Sequence, residues 1–217
     1  DDLTLRRSKL ANEVLFFSRG APVLYYGDEK GMVGTGGDKA ARQDMFPTGV
    51  LEWQDEIRIG STPIGTKSAF DVVNPLQLQI TEINKLIAQN PALRKGTQQL
   101  RATSRNSIAF SRYLDGQEYL VVLNSGDESD SLDAPVSIQS SWEQIYGPKA
   151  SFSTSGKKVS VTLPAISTVI LKATTPFESS AKLAVNLSKI NYDFATPNWL
   201  SLQATVPGDE FVEVNFQ

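Results

Sequence analysis

Carboxylates, lysines, tyrosines and hydroxyls are the side chains in this sequence that could do acid–base or nucleophilic chemistry. The 217 residues contain no cysteine and no histidine. Ser-His-Asp and Cys-His catalysis, histidine-liganded metal ions and thiolate zinc sites are therefore excluded within the chain. Disulfide frameworks are excluded for the same reason.

A glycine-rich segment from residue 28 to residue 47 is the best candidate for a binding region. It follows the short apolar run Val23-Leu24-Tyr25-Tyr26, and it contains four glycines between positions 31 and 37. Such a composition predicts a long flexible loop after a strand. In α/β proteins the loops that leave the C-terminal ends of parallel strands hold the substrate. We therefore expect binding side chains in or beside this loop.

The elements around this loop predict an α/β arrangement. Apolar residues at near-helical spacing between Leu3 and Ser18 predict an amphipathic helix, and the run 23–26 is typical of a strand buried on both faces. A second helix is predicted to begin at the capping pair Asn74-Pro75 and to end at Pro91. A helix that leads directly into a buried strand is an α/β pattern.

From residue 97 onward the hydrophobic period changes to two, which predicts strands. Residues 108–113 and 119–124 flank Asp115-Gly116, a turn signal for a β-hairpin. Short strands separated by turn residues describe an antiparallel sandwich. The further strands are predicted at residues 136–138, 142–146, 159–163 and 168–171.

The segment 174–217 begins with a linker-like Thr-Thr-Pro and then contains predicted strands at 183–187, 200–206 and 211–216. A free-standing immunoglobulin-like sandwich needs about seven strands. This segment is therefore either the start of an additional immunoglobulin-like domain or a set of strands packed on the preceding sandwich.

Residues 20–32, with the sequence GAPVLYYGDEKGM, resemble the motif at the eighth barrel strand of the α-amylase family, glycoside hydrolase family 13. The preceding helix resembles the seventh barrel helix of that family. The segment 90–96 resembles the end of its last barrel helix, and the strands that follow resemble its C-terminal sandwich. The resemblance implies the incomplete C-terminal end of a (β/α)8 barrel at residues 1–96, the sandwich at 97–173 and the additional segment at 174–217.

The resemblance also implies that this chain lacks the catalytic residues. The nucleophile Asp, the acid/base Glu and the stabilising Asp of the family lie on strands four, five and seven, upstream of anything present here. The expected fold class is an α+β fragment dominated by β structure. Retaining glycosidases need two carboxyl groups about 5 Å apart. Asp28 and Glu29 do not fit, because neighbours at a strand end point to opposite faces, and nothing specific favours a pairing of Asp28 with Asp38.

Four residues are candidates for contacts to a sugar chain: Tyr26, Glu29, Asp38 and Arg42. In maltogenic-amylase-like and neopullulanase-like members of the family, an Asp and an Arg at the spacing of Asp38 and Arg42 contact donor-side glucose units. A bidentate Arg and a carboxylate suit sugar hydroxyls. The alternative is a solvated helical ion pair. Glu29 either faces the substrate or pairs with an Arg or with backbone amides. Tyr25 and Tyr26 either stack on sugar rings or contribute at least one core side chain.

The resemblance implies an α-glucan or maltodextrin substrate bound through the parent enzyme, and the missing N-terminal barrel portion as structural partner. It implies no cofactor and no metal ion in this chain. A calcium ion, where the enzyme has one, is expected in the rest of the parent enzyme. A net charge of −3 argues against nucleic acid, and the apolar run at residues 21–26 is too short for a membrane helix. A secreted or periplasmic bacterial protein is expected, with the cytoplasm as the alternative.

A different class of function is a non-catalytic carbohydrate-binding or structural module. Its candidate sugar platforms are the tryptophans Trp53 and Trp199, whereas the strand pattern around Trp142 predicts a core residue. Retention on insoluble starch would distinguish the two classes.

Overall fold

The computed structural model describes residues 2–34 and 36–176, together with the backbone of residues 186–192 and 200–205. The chain divides into two compact units, residues 1–176 and residues 177–217. The first unit contains both the helices and the sandwich strands, so the boundary between residues 96 and 97 stays a prediction.

Four α-helices occupy the first part of the larger unit: α1 (Asp2–Phe17), α2 (Leu51–Gln54), α3 (Pro75–Gln89) and α4 (Ala92–Lys95). The predicted start of α3 is confirmed. The Asn74 side chain accepts a hydrogen bond of 2.8 Å from the Leu76 amide, with Pro75 in the first turn. The cap satisfies one of the amides that a helix leaves unpaired at its start, and proline occupies a position that needs no amide.

Eight strands form two antiparallel sheets, as predicted for a sandwich. The five-stranded sheet has the order β1-β2-β3-β8-β5 and the three-stranded sheet the order β4-β7-β6. The strands are β1 (Thr97–Thr103), β2 (Ser107–Leu114), β3 (Gln117–Asn124), β4 (Asp130–Pro135), β5 (Trp142–Tyr146), β6 (Ser151–Ser155), β7 (Lys158–Leu163) and β8 (Ser167–Ala173).

The predicted hairpin is confirmed. Strands β2 and β3 pair in register from Ser107 opposite Asn124 to Leu114 opposite Gln117. The two turn residues both have positive φ, 49° at Asp115 and 81° at Gly116. This is the backbone of a type I′ turn, whose twist matches that of the flanking strands.

Two predictions about strands are wrong. Residues 21–25 belong to no strand within the described part of the chain, and Val23 is 80 % exposed. The backbone amides and carbonyls of a barrel strand bond to a neighbouring strand on each side. The described residues supply no such neighbour for the segment 21–25. The strand expected at residues 136–138 lies earlier, as β4. Along β4, exposed Ser131 and Asp133 alternate with buried Leu132. The period of two is that of a strand, but few residues of β4 are apolar.

One hydrophobic core joins the helices to the five-stranded sheet. Its members are buried side chains from α1, α3, α4, β2, β3 and β8. The helices therefore pack on the sandwich rather than forming a separate body. They include Phe17, Ile83, Leu93, Phe110, Tyr119 and Ile170.

The smaller unit contains β9 (Asn186–Tyr192) and β10 (Leu200–Thr205), paired antiparallel with an irregularity between Gln203 and Ala204. The predicted strand at 200–206 is confirmed, and the one at 183–187 overlaps the start of β9. The strand predicted at 211–216 lies outside the described residues.

A buried carboxyl group links α1, α3 and β5 inside the larger unit. The Glu13 side chain accepts hydrogen bonds from Gln79 Nε2 at 2.8 Å and from the Tyr146 hydroxyl at 2.9 Å. Glu13 is 9 % exposed, and burial raises the pKa of its carboxyl group despite these donors. Burial and the neighbouring Glu13 also raise the pKa of Tyr146.

Replacing Glu13 with glutamine is expected to make the free energy of unfolding less dependent on pH. Because the pKa of Glu13 is raised above 4.5 on folding, the folded chain binds the proton more tightly than the unfolded chain. Stability is then lost as the pH rises from about 4.5 through the folded pKa. Urea denaturation between pH 4 and pH 8 should show that the free energy of unfolding of the E13Q variant, relative to that of the wild type, increases as the pH rises. Parallel curves for the two proteins would contradict this expectation.

Candidate functional site

The glycine-rich loop begins at a tight approach of two backbone segments. Gly31 has φ of 67°, and a Cβ atom there would lie 2.1 Å from the Ile59 carbonyl oxygen. The Ile59 amide donates to the Gly31 oxygen at 2.8 Å. The Asn74 side-chain amide donates to the carbonyls of both Lys30, at 3.1 Å, and Ile59, at 2.9 Å. Only glycine fits here, and the residue that caps α3 also fastens the start of the loop.

Lys30 fastens the same turn from the other side. Its side chain is buried, and Nζ donates to the Val72 carbonyl at 2.9 Å and to Gln77 Oε1 at 2.7 Å. The short 3₁₀ turn Asp28–Lys30 is therefore tied to the N-terminal end of α3. A buried ammonium group needs such acceptors to offset the loss of its hydration.

Glu29, predicted to face substrate or to pair with backbone amides, makes the second kind of contact. Its carboxylate accepts a hydrogen bond from the Gly27 amide at 2.9 Å, and the side chain is half-buried. Asp28 is exposed. The two carboxylates lie on a 3₁₀ turn rather than at a strand end. A direct role for Glu29 in sugar binding stays a prediction.

Asp38 and Arg42 form a bidentate ion pair. Arg42 Nη2 lies 2.9 Å from Asp38 Oδ2 and 3.2 Å from Oδ1. Both side chains are largely exposed, Arg42 by 67 % and Asp38 by 80 %. An exposed pair of this kind adds at most about 1 kcal/mol to stability. What it does provide is a fixed set of charged donors and acceptors that face solvent.

Tyr25 and Tyr26 contact each other with ring centroids 4.7 Å apart and ring planes tilted by 41°, and they are 61 % and 45 % exposed. The expectation that at least one of them is a core residue is wrong, because the described residues supply no strand neighbour that would bury the segment. Desolvation, the adjacent Tyr25 and the negative charge of Asp44 raise the pKa of Tyr26, whereas the positive charge of Arg42 lowers it.

Two aromatic features near the loop were not predicted from the sequence. Phe46 and Phe70 form an edge-to-face pair with centroids 5.4 Å apart, and both are exposed. Trp53 donates its indole N–H to the Ala40 carbonyl at 3.0 Å. Phe46 and Phe70 lie 24 positions apart in the chain, so no local periodicity indicates their contact.

The tryptophans give little support to a separate sugar platform. Trp142 is 7 % exposed, as predicted for a core residue. Trp53 is half-buried with its indole N–H in use. Trp199 lies outside the described residues.

The described residues contain neither a cluster of acidic side chains suited to a metal ion nor a membrane-spanning helix. No group of three or more Asp and Glu side chains there could hold a metal ion. None of the helices described is both long and apolar enough to cross a bilayer.

Comparison with known proteins identifies the family. An α-amylase of Streptomyces lividans is 41 % identical over 175 residues, which is 78 % of this chain and 19 % of that protein. This chain thus spans about a fifth of the relative's length. No family model matches the chain.

Solved structures support the same fold at low sequence identity. The α-amylase from H. orenii superposes with a TM-score of 0.56 at 19 % identity, over 77 % of this chain and 35 % of that one. A Nostoc punctiforme debranching enzyme gives a TM-score of 0.53 at 24 % identity, over 77 % and 31 %. The Streptomyces relative and these shared folds lead to one assignment. The chain belongs to the α-amylase family of glycoside hydrolases and matches a C-terminal portion of such an enzyme.

Proposed function

We propose that this chain is the part of an α-glucan-cleaving, retaining glycoside hydrolase that supplies donor-side sugar contacts and a structural sandwich. The catalytic carboxylates belong, in this proposal, to the remainder of the parent enzyme. The observation that carries the proposal is the exposed, bidentate Asp38–Arg42 pair on a loop whose start is fastened to α3.

The chemistry of this pair suits sugar hydroxyl groups. Each hydroxyl can donate one hydrogen bond and accept others, so it can bridge a guanidinium and a carboxylate held side by side. The exposed ring of Tyr26 adds an apolar surface of the kind that packs on a sugar face. Because the ion pair contributes little to stability, replacing one of its members tests ligand binding with little effect on folding.

The proposed structural partner is the remaining barrel portion of the parent enzyme. Large exposed apolar side chains are frequent between residues 23 and 78, and their number supports a partner that covers this segment. Within the described residues, segment 21–25 also has no strand partner for its backbone. The most exposed of these side chains are Val23, Phe46, Leu51, Ile57 and Val73.

We expect the isolated chain to bind a maltooligosaccharide weakly and to release no reducing sugar from starch. NMR titration with maltoheptaose should show shifts at the amides around Asp38 and Arg42. The D38N and R42K variants should bind about tenfold more weakly, which corresponds to about 1.4 kcal/mol for one charge-assisted contact.

Matched controls come from two other exposed ion pairs. Asp133 pairs with Lys158 at 3.0 Å and Arg7 with Asp127 at 3.1 Å. The D133N and R7K variants should bind maltoheptaose like the wild type. Reducing sugar released by the chain alone would overturn the assignment of catalysis to the rest of the enzyme. Binding that is unaffected by D38N and R42K would overturn the proposed sugar contact.

A further inference from the structure

The glycine-rich loop is held near its start by a buried carboxylate. Glu56 Oε1 accepts a hydrogen bond from the Gly34 amide at 2.9 Å, and Oε2 accepts one from the Val33 amide at 3.3 Å. Glu56 is 8 % exposed although it lies directly after the short helix α2. Both of its oxygens are therefore committed to the backbone of the loop.

The same loop is held further along by the indole of Trp53. Its N–H donates to the Ala40 carbonyl, which lies between Asp38 and Arg42 in the sequence. Residues 34 and 41 of the loop also approach each other, because a Cβ atom on Gly34 would lie 2.9 Å from the Ala41 Cβ. Trp53 and Glu56, which are three positions apart, thus bind the loop on both sides of Gly36 and Gly37.

The segment that carries these two residues is itself fastened. Gln54 Nε2 donates to the Thr48 carbonyl at 2.7 Å, and the Gly65 amide donates to the Gln54 carbonyl at 3.1 Å. Contacts to the loop are therefore made from a fixed support. Without them a segment with several glycines would sample many backbone conformations, and the entropy lost on binding would weaken affinity.

We propose that Trp53 and Glu56 are positioning residues that hold the Asp38–Arg42 pair in the geometry that binds glucan. This inference rests on the proposed function, since it assigns the pair a ligand. Neither residue needs to touch the sugar. Their effect is to present the carboxylate and the guanidinium as one preorganised surface, so that little order has to be imposed when the ligand binds.

The test uses the full 217-residue chain, ¹⁵N NMR and maltoheptaose. Two variants weaken the grip independently: E56Q removes the charge and one acceptor, and W53F keeps an aromatic ring but removes the N–H donor. The control is E52Q, the same change at an exposed residue of α2. Three quantities are measured for each protein: the thermal midpoint, the exchange rate of the Gly34 amide and the Arg42 Nε–H, and the affinity for maltoheptaose.

We expect E56Q and W53F to bind maltoheptaose about fivefold to tenfold more weakly, with faster exchange of the Arg42 Nε–H. Each variant leaves a backbone group without its partner, so its thermal midpoint should fall by a few degrees. E56Q alone should also speed exchange of the Gly34 amide. E52Q should match the wild type in all three quantities. Binding is measured well below the midpoints, where a general loss of stability would leave the affinity unchanged.

The inference and the proposed function fail in different ways. If the wild type binds maltoheptaose through Asp38 and Arg42 but E56Q and W53F bind equally well, the positioning role is overturned and the proposed function stands. If the wild-type chain does not bind maltoheptaose at all, the proposed function is overturned, and the assigned role of Trp53 and Glu56 falls with it.

Discussion

Replacing Glu118 with alanine is expected to lower the free energy of unfolding by about 3–5 kcal/mol, the cost of leaving one partner of a buried ion pair uncompensated. Glu118 is fully buried, and Arg101 is 9 % exposed and lies 2.7 Å away. The carboxylate also accepts hydrogen bonds from Ser111 Oγ at 2.6 Å and from the Ser137 amide at 3.0 Å. Glu118 lies on β3 and these partners lie on β1, on β2 and in the segment after β4, so the loss affects the five-stranded sheet and the segment that follows β4.

Urea denaturation followed by circular dichroism measures this loss. The control is E143A, the same change at an exposed position on β5, which should alter stability by less than about 0.5 kcal/mol. The double variant R101M/E118L should recover part of the stability, because apolar residues in place of both ions remove the unpaired charge but leave the Ser111 hydroxyl and the Ser137 amide without their acceptor. A loss below about 1 kcal/mol for E118A would show that the pair contributes no more than an exposed ion pair.

Replacing Arg112 with methionine is expected to weaken the attachment of the helices to the sandwich by about 3 kcal/mol or more. The guanidinium is 1 % exposed and donates to the carbonyls of Phe17, Arg94 and Gly96, each at 3.1 Å. Burial lowers the pKa of Arg112, and the carbonyls supply the negative potential that its charge requires. Each buried carbonyl left without a donor costs about 1–3 kcal/mol.

Native-state hydrogen exchange distinguishes this local effect from a general one. In R112M the amides of α1 and α4 should lose protection more than those of β3 and β8, since Arg112 joins the ends of both helices to β2. The R105M variant changes the same side chain at an exposed site and should leave both sets unchanged. Equal loss of protection in helices and strands would contradict a role specific to the junction.

Several elements could be predicted because their signals are local. The cap at Asn74-Pro75 acts on an amide two residues away, and the turn at Asp115-Gly116 depends on the φ preferences of two adjacent residues. The strands β5, β7 and β8 show a clear hydrophobic pattern over a few residues. By contrast, β4 and β6 are rich in small polar residues, so the same pattern was too weak to place them.

The candidate binding residues could be predicted as a group but not in their arrangement. The resemblance of residues 20–32 to a family motif placed the candidates on one loop. Their sequence does not indicate that Glu29 accepts from the Gly27 amide or that Tyr26 is exposed. Nor does it indicate that Glu56 and Trp53 contact the loop at residues 33, 34 and 40 from outside it.

The sequence by itself determined the classes of chemistry excluded by the absence of histidine and cysteine, the family, and the elements whose signals lie within a few residues. Only the tertiary structure decided that helices α1, α3 and α4 share a core with the five-stranded sheet, and that Arg112, Glu118 and Glu56 each hold distant segments together. The physical reason is burial. A polar group acquires its partner, and the cost of losing it, only when packing removes water from both, and that packing joins residues far apart in the chain.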